Sequence, residues 1–190
     1  MQYKIEVVDK PGIFDAVGQG VSRDIADLGI NSVKEVKFIQ VYILEGDLAE
    51  GQVTSICQEL LTDKVAQDYK ILSEDSKYRA KPNQYIVEVA YNPGVMDPVE
   101  ASVLKGIQDL GIPAPDAVRT AKKYIISGKL SSAQLKTISE KLLYNKLIQH
   151  VVNPHTLDGD IKHLPGYNFA LVTVDLLRAG PRVDLQIPQR

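Results

Sequence analysis

Shifted by 82 positions, the sequence matches itself without a gap. Residues 3–71 and 85–153 are therefore two copies of one unit, and whatever one half folds into, the other must fold into as well. Tyr3 meets Tyr85, Glu6 meets Glu88 and Val7 meets Val89. Pro11-Gly12 meets Pro93-Gly94, Asp15 meets Asp97, and Asp27-Leu28-Gly29-Ile30 meets Asp109-Leu110-Gly111-Ile112. Val36, Tyr42, Gly46 and Leu48 meet Val118, Tyr124, Gly128 and Leu130, while Leu60-Leu61 and Lys64 meet Leu142-Leu143 and Lys146. About a third of the aligned positions are identical, too many for chance over some seventy residues.

The matched positions carry structural meaning. Tyr3, Ile5 and Val7 alternate with polar residues, as do Tyr85, Val87 and Val89, which predicts a strand with Lys4 and Glu6 on its opposite face. Pro-Gly then predicts a turn. Asp15 and Asp97 stand where a helix N-cap belongs. In the second copy Pro98 would follow at the first helical position, and Glu100 would answer the cap. Phe14, Val17, Val21, Ile25 and Leu28, three and four apart, predict the buried stripe of that helix. Gly29 and Gly111 should end it in the left-handed conformation.

An apolar stretch follows, Val33 to Leu44 and Val118 to Ile126, read as one long bent strand or two short ones. A second helix carries Val53, Ile56, Cys57, Leu60 and Leu61, and its counterpart Leu135, Ile138, Leu142 and Leu143. A last strand is expected near Gln67–Leu72 and again near Gln149–Val152. The fold class is α+β: two tandem β-α-β(β)-α-β units with antiparallel sheets. Both helices of a unit should lie on one face of its sheet. The expected arrangement is an intramolecular pseudo-dimer, sheets face to face and helices outside. The domain reading is 1–72 for the first repeat, 73–84 for a polar linker, 85–153 for the second repeat, and 154–190 for a proline-rich tail. Within the tail, Phe169–Val174 could add one strand.

Composition excludes more than it assigns. The net charge of −2 argues against a nucleic-acid surface, which needs a basic excess. A single cysteine forbids an intrachain disulfide and suits a reducing compartment. The first ten residues lack a signal peptide's apolar core. No apolar run reaches the roughly 18 residues of a membrane span. A soluble cytoplasmic protein is expected, with no nucleic-acid or membrane partner.

Catalytic candidates fail one by one. His150, His155 and His163 have no metal-ligand spacing, and His150 aligns with Asp68. Cys57 aligns with Ser139 on an apolar helix face, where a small core residue is expected rather than a nucleophile. Asp158-Gly159-Asp160 lacks the later ligands of a calcium loop and reads as a turn. Gly18-Gln19-Gly20 falls inside a predicted helix and is no phosphate cradle. Asp15 and Asp97 are occupied as caps, with no acid–base partner nearby. No catalytic, cofactor or metal site is expected in this chain.

Residues 92–112, NPGVMDPVEASVLKGIQDLGI, resemble the start of the PurS family, which reads Lys-Pro-Gly-Val-Leu-Asp-Pro, a helix, then Leu-Gly. Lys10-Pro11-Gly12-Ile13-Phe14-Asp15 is the poorer match, with Ala16 in place of the proline. The family's Val-Arg strand running to Lys-Tyr is similar to Val118-Arg119 through Lys123-Tyr124, and to Val36-Lys37 through Val41-Tyr42. Both copies lack the family's glycine before the lysine. Cys57-Gln58-Glu59-Leu60-Leu61 and Glu140-Lys141-Leu142-Leu143 resemble its Cys-Glu-Lys-Leu-Leu.

The resemblance implies a non-catalytic component of phosphoribosylformylglycinamidine synthase in purine biosynthesis, an ATP- and glutamine-dependent C–N ligase. It implies synthetase and glutaminase partners bridged for ammonia transfer, with ATP and Mg²⁺ expected only on the synthetase. Large fused synthetases begin with two PurS-like units in one chain. That leads to the expectation that this chain is such an N-terminal segment, its tail leading into a synthetase core, although a free-standing double unit fits as well. Further self-association also stays open. Lys10 and Asn92 in the turns, with Tyr42 and Tyr124 on the long strands, are the candidates for docking or inter-copy contacts; ordinary turn and sheet residues would look the same. The competing resemblance is to a tandem ACT-like regulatory domain that binds an amino acid, carried by Asp9-Lys10-Pro11-Gly12, a helix, then Leu28-Gly29-Ile30-Asn31.

Overall fold

The structure, a computed structural model, describes residues 1–72 and 80–152. Most of the linker, the tail with its expected strand at Phe169–Val174, His155, His163 and the Asp158-Gly159-Asp160 turn lie outside the described residues. The first copy runs β1 (Gln2–Asp9), α1 (Ala16–Asp27), β2 (Val33–Glu45), α2 (Glu50–Ile56) and β3 (Gln67–Leu72). The second runs β4 (Gln84–Tyr91), α3 (Glu100–Asp109), β5 (Ala117–Gly128), α4 (Ser132–Ile138) and β6 (Gln149–Val151). Helices α2 and α4 each end in a π-helical turn, Cys57–Leu61 and Ser139–Leu143. The long apolar stretch is one strand in each copy.

Local chemistry explains where elements start and stop. The Ile13 amide donates to Lys10 O and the Val95 amide to Asn92 O, closing turns in which Gly12 (φ 89°) and Gly94 (φ 84°) hold the left-handed position. Helix α1 ends when the Gly29 amide donates to Ala26 O and the Ile30 amide to Ile25 O. Gly111 and Ile112 repeat both bonds on Gln108 and Ile107, so each helix closes in a Schellman motif.

The six described strands form one antiparallel sheet in the order β3-β1-β2-β5-β4-β6. The expected face-to-face packing of two sheets is therefore corrected: the copies join edge to edge through β2 and β5. The cause is hydrogen bonding. Within its own copy β2 pairs with β1 along one edge, which leaves the other edge of a 13-residue strand with open N–H and C=O groups. The equivalent edge of β5 is open in the same way, and pairing the two satisfies both. The register is self-conjugate. Val36 opposes Ile126 as Leu44 opposes Val118, and Phe38 opposes Tyr124 as Tyr42 opposes Thr120. Gln40 opposite Lys122 maps onto itself, so the pseudo-twofold axis passes there.

Strand parity places all four helices on one face. Ile5, Val7, Leu44 and Val118 face α2 and also Val103 and Ile107 of α3, so copy 2 supplies a helix to copy 1's core. Val87, Val89, Tyr124 and Ile126 face α4 and also Ile25 of α1, the reverse exchange. Each core is thus built from both copies. Gly106 of α3 sits so close to Leu60 that a Cβ would meet Leu60 Cδ1 at 2.5 Å. The opposite face, which carries no helix among the described residues, holds a smaller cluster, Ile39, Val41, Ala121 and Ile125.

Two helix details differ from expectation. Asp15 caps α1 as expected, accepting from the Gly18 amide at 2.7 Å. Asp97 does not cap α3: the helix begins only at Glu100, after Val99, with no side-chain cap. Gly18 explains the difference. A Cβ there would lie 2.3 Å from Val36 O and 2.5 Å from Asp15 Oδ2. Glu100 stands at the matching position and cannot come so close, so α3 starts later. Phe14 and Val17 are also not buried; they are 68% and 46% exposed, because they line an open cleft above Val7, Phe38 and Gln40 of the sheet, and only Ile25 of that stripe is fully covered.

Candidate functional site

Among the described residues, the most exposed apolar side chains other than Met1 gather at two related ends. In copy 1 the Pro-Gly turn lies against the turn before β3, held by the Lys10 amide on Ala66 O. Lys10 Nζ donates to Lys64 O at 2.6 Å and stands 4.0 Å from Asp68 Oδ1. In copy 2 the Asn92 amide donates to Ile148 O, and Asn92 Nδ2 to Leu147 O at 3.3 Å. Asn92 Oδ1 lies 3.2 Å from His150 Nδ1, which places that histidine on β6 against the turn. Both docking candidates in the turns thus brace their own copy. The side chains they present are others: Ile13, Phe14 and Val65 at one end, Met96, Leu147 and Ile148 at the other. The apolar letters after Pro-Gly were the available signal, but α1's periodicity assigned Phe14 to the core. A cleft of about 390 Å³ adjoins the first end, between the turn, Gln19 and Glu35–Lys37.

Below each turn an aspartate ties helix to sheet. β1 pairs with β2 only from Gln40 onward, so the Phe38 amide has no strand partner on that side, and Asp15 Oδ2 accepts from it at 2.7 Å. At the matching place Asp97 Oδ2 accepts from the Thr120 amide at 2.6 Å and from Thr120 Oγ1 at 2.8 Å. These carboxylates are filled with backbone and hydroxyl bonds, which leaves them little capacity for acid–base work.

Tyr42 and Tyr124 stand on the seam strands. Tyr124 packs its ring on Phe38 of the other copy, with centroids 5.6 Å apart. Burial pushes its phenol pKa above the ordinary value. Tyr42 is raised as well, first by burial and then by the charge of Asp97 from the other copy. Two glycines mark the ends of the seam. A Cβ at Gly128 (φ 159°) would lie 2.3 Å from Ser32 O, and one at Gly46 (φ 149°) would lie 3.0 Å from the Asp116 amide.

On the face opposite the described helices, Glu6 and Glu88 point to the same side of the sheet, where sequence parity put Glu6. What parity did not reveal is their burial, at 7% and 2% exposure. Lys123 binds Glu6 and reaches Glu88 Oε2 at 3.2 Å, while Lys4 Nζ binds Glu88 Oε1 at 2.5 Å. Burial alone would lower the pKa of Lys123, but its hydrogen bond to Glu6 and the charges of Glu88 and Glu6 outweigh that and raise it. Lys4 on β1 and Glu88 on β4 are three strand steps apart, roughly 14 Å in a flat sheet. Their contact means that the sheet curls toward this face. The missed signal was Lys123 itself, a charge within an apolar strand where copy 1 has Val41.

Cys57 is fully buried, and burial pushes its thiol pKa to about 11, the opposite of an activated nucleophile. Among the described residues no group of three His, Cys, Asp or Glu side chains could hold a metal ion, and no helix is long and apolar enough to cross a membrane.

Comparison with curated proteins finds no match. A family model does match, twice in tandem: the PurS model, described as phosphoribosylformylglycinamidine (FGAM) synthase, aligns to residues 2–75 and again to 84–153. Those two stretches are the two halves of the fused sheet, and this chain, a tandem duplication, belongs to the PurS family.

Proposed function

We propose that the chain is a non-catalytic scaffold of phosphoribosylformylglycinamidine synthase, bridging the synthetase and glutaminase parts so that ammonia passes between them. The reading rests on the match of the PurS family model, described as phosphoribosylformylglycinamidine synthase, over both copies. The geometry is compatible with bridging. One welded body carries two related but unequal apolar ends, Ile13-Phe14-Val65 and Met96-Leu147-Ile148, which an identical dimer could not offer. ATP and Mg²⁺ would be held by the synthetase part. The cleft beside the copy-1 turn favours the ACT-like alternative, since such domains bind effectors near that turn.

The test is co-sedimentation of the chain with a synthetase and a glutaminase of this enzyme class. Retention of both is expected, with Phe14→Asp and Met96→Asp weakening different partners. Failure to retain either, together with saturable binding of a free amino acid, would replace this reading with the ACT-like one.

A further inference from the structure

The two ends of the β2–β5 seam are related by the pseudo-twofold axis, and the end at Gly128 opens into a cleft of about 410 Å³. Their charges are opposite. The cleft is lined by Lys34 and Lys129 with Ser32, Ser127, Asn83 and Gly128. Moving by the repeat length turns Lys34 into Asp116, Lys129 into Asp47 and Ser127 into Glu45. The opposite end of the seam is accordingly acidic, with Asp116, Asp47 and Glu45 where the first end has Lys34, Lys129 and Ser127. At that end Glu45 is already paired with Arg119 at 2.8 Å.

At the basic end neither Lys34 nor Lys129 has an ion-pair partner among the described residues. Ser32 lines this cleft, and its Oγ is buried with no hydrogen-bond partner, a cost that rotation toward an anion in the cleft would relieve. Asn83, held by the Gly128 amide on its carbonyl, takes a left-handed turn conformation (φ 59°) that asparagine tolerates, and this sets the chain along the rim of the cleft. Glu35, opposite Ser127 in the ladder, lines the neighbouring cleft at the copy-1 turn instead.

We propose that this basic seam end is a binding site for a phosphoryl group, whether free phosphate or part of a small phosphate ester. Two ammonium groups supply charge, and the hydroxyls of Ser32 and Ser127 supply directed donors, a set suited to an anion with several acceptor oxygens. The acidic end is the built-in control. The site is independent of the bridging function and stands whether or not that function holds.

The test is titration of the full chain with inorganic phosphate at constant ionic strength, followed by amide shifts in NMR and by calorimetry. Acetate serves as the carboxylate comparison. Saturable phosphate binding is expected, with shifts at Ser32, Asn83 and Gly128. Lys34→Ala with Lys129→Ala should weaken it roughly tenfold or more, the scale of losing charge-assisted bonds. Ser32→Ala should weaken it without lowering the melting temperature, because the hydroxyl has no partner to lose. Asp47→Ala with Asp116→Ala, the counterparts of the two lysines, should leave it unchanged. Absence of saturable binding, equal binding of acetate, or equal loss from the acidic-end variants would overturn the proposal.

Discussion

The starts of α1 and α3 show how far two copies of one unit can drift. Asp15 and Asp97 keep the same task toward the sheet, each holding the amide of β2 or β5 that has no strand partner. Toward the helix they part. Asp15 caps Gly18, whereas Asp97 binds Val99 two residues on and leaves α3 uncapped. One glycine, Gly18, separates the two solutions by letting α1 approach Val36 O. Contacts that close the sheet are kept in both copies, and those that only begin a helix are free to change.

The ion cluster gives the sharpest contrast between copies. Lys123→Val makes copy 2 match Val41 of copy 1, strands Glu6 in a buried site and leaves Glu88 with Lys4 alone. A loss of about 3–5 kcal/mol in urea unfolding is expected, the scale for breaking a buried pair. The pH profile should carry the same signature. Because the folded-state pKa of Lys123 is raised above 10.5, its contribution is complete below that value and fades as pH climbs through the raised one. The wild type should therefore lose stability in strongly alkaline buffer more steeply than Lys123→Val.

Next in size is the helix start. Gly18→Ala forces a Cβ against backbone and should cost about 2–3 kcal/mol, while Glu100→Ala at the matching place should fall within about 0.5 kcal/mol of zero. Equal effects would erase the distinction between α1 and α3. Asp97→Ala should then cost more than Asp15→Ala, by about 1 kcal/mol, since Asp97 is buried and also holds Thr120 Oγ1. Thermal melts of the two variants measure the order. Smallest is Cys57→Ser, which copies Ser139. That serine donates to Leu135 O at 2.9 Å, four residues back, and a serine at 57 can do the same to Val53 O. The expected change in melting stability is below about 1 kcal/mol.

Much of this was legible in the residues. The repeat, the Pro-Gly turns, the glycine helix stops at Gly29 and Gly111 and the α+β class all follow from side-chain chemistry that must sit where it does. Edge joining was not legible, because β2 and β5 meet through backbone groups that every residue carries. The apolar run Val33–Leu44 looks the same whether a second sheet covers it or a neighbouring strand extends it. Phe14 was misplaced for a related reason: helical spacing continues into the turn, but the chain does not. The seam end with Lys34 and Lys129 was invisible because the two lysines are far apart in sequence and meet only across the β2–β5 ladder.

Sharing of both cores between copies is measured most directly by residue-resolved hydrogen exchange through a denaturant series on the whole chain. Val7 and Leu44 in the first core and Val89 and Ile126 in the second should lose protection together, at one free energy and one midpoint. Two separated transitions, one per copy, would contradict the shared cores.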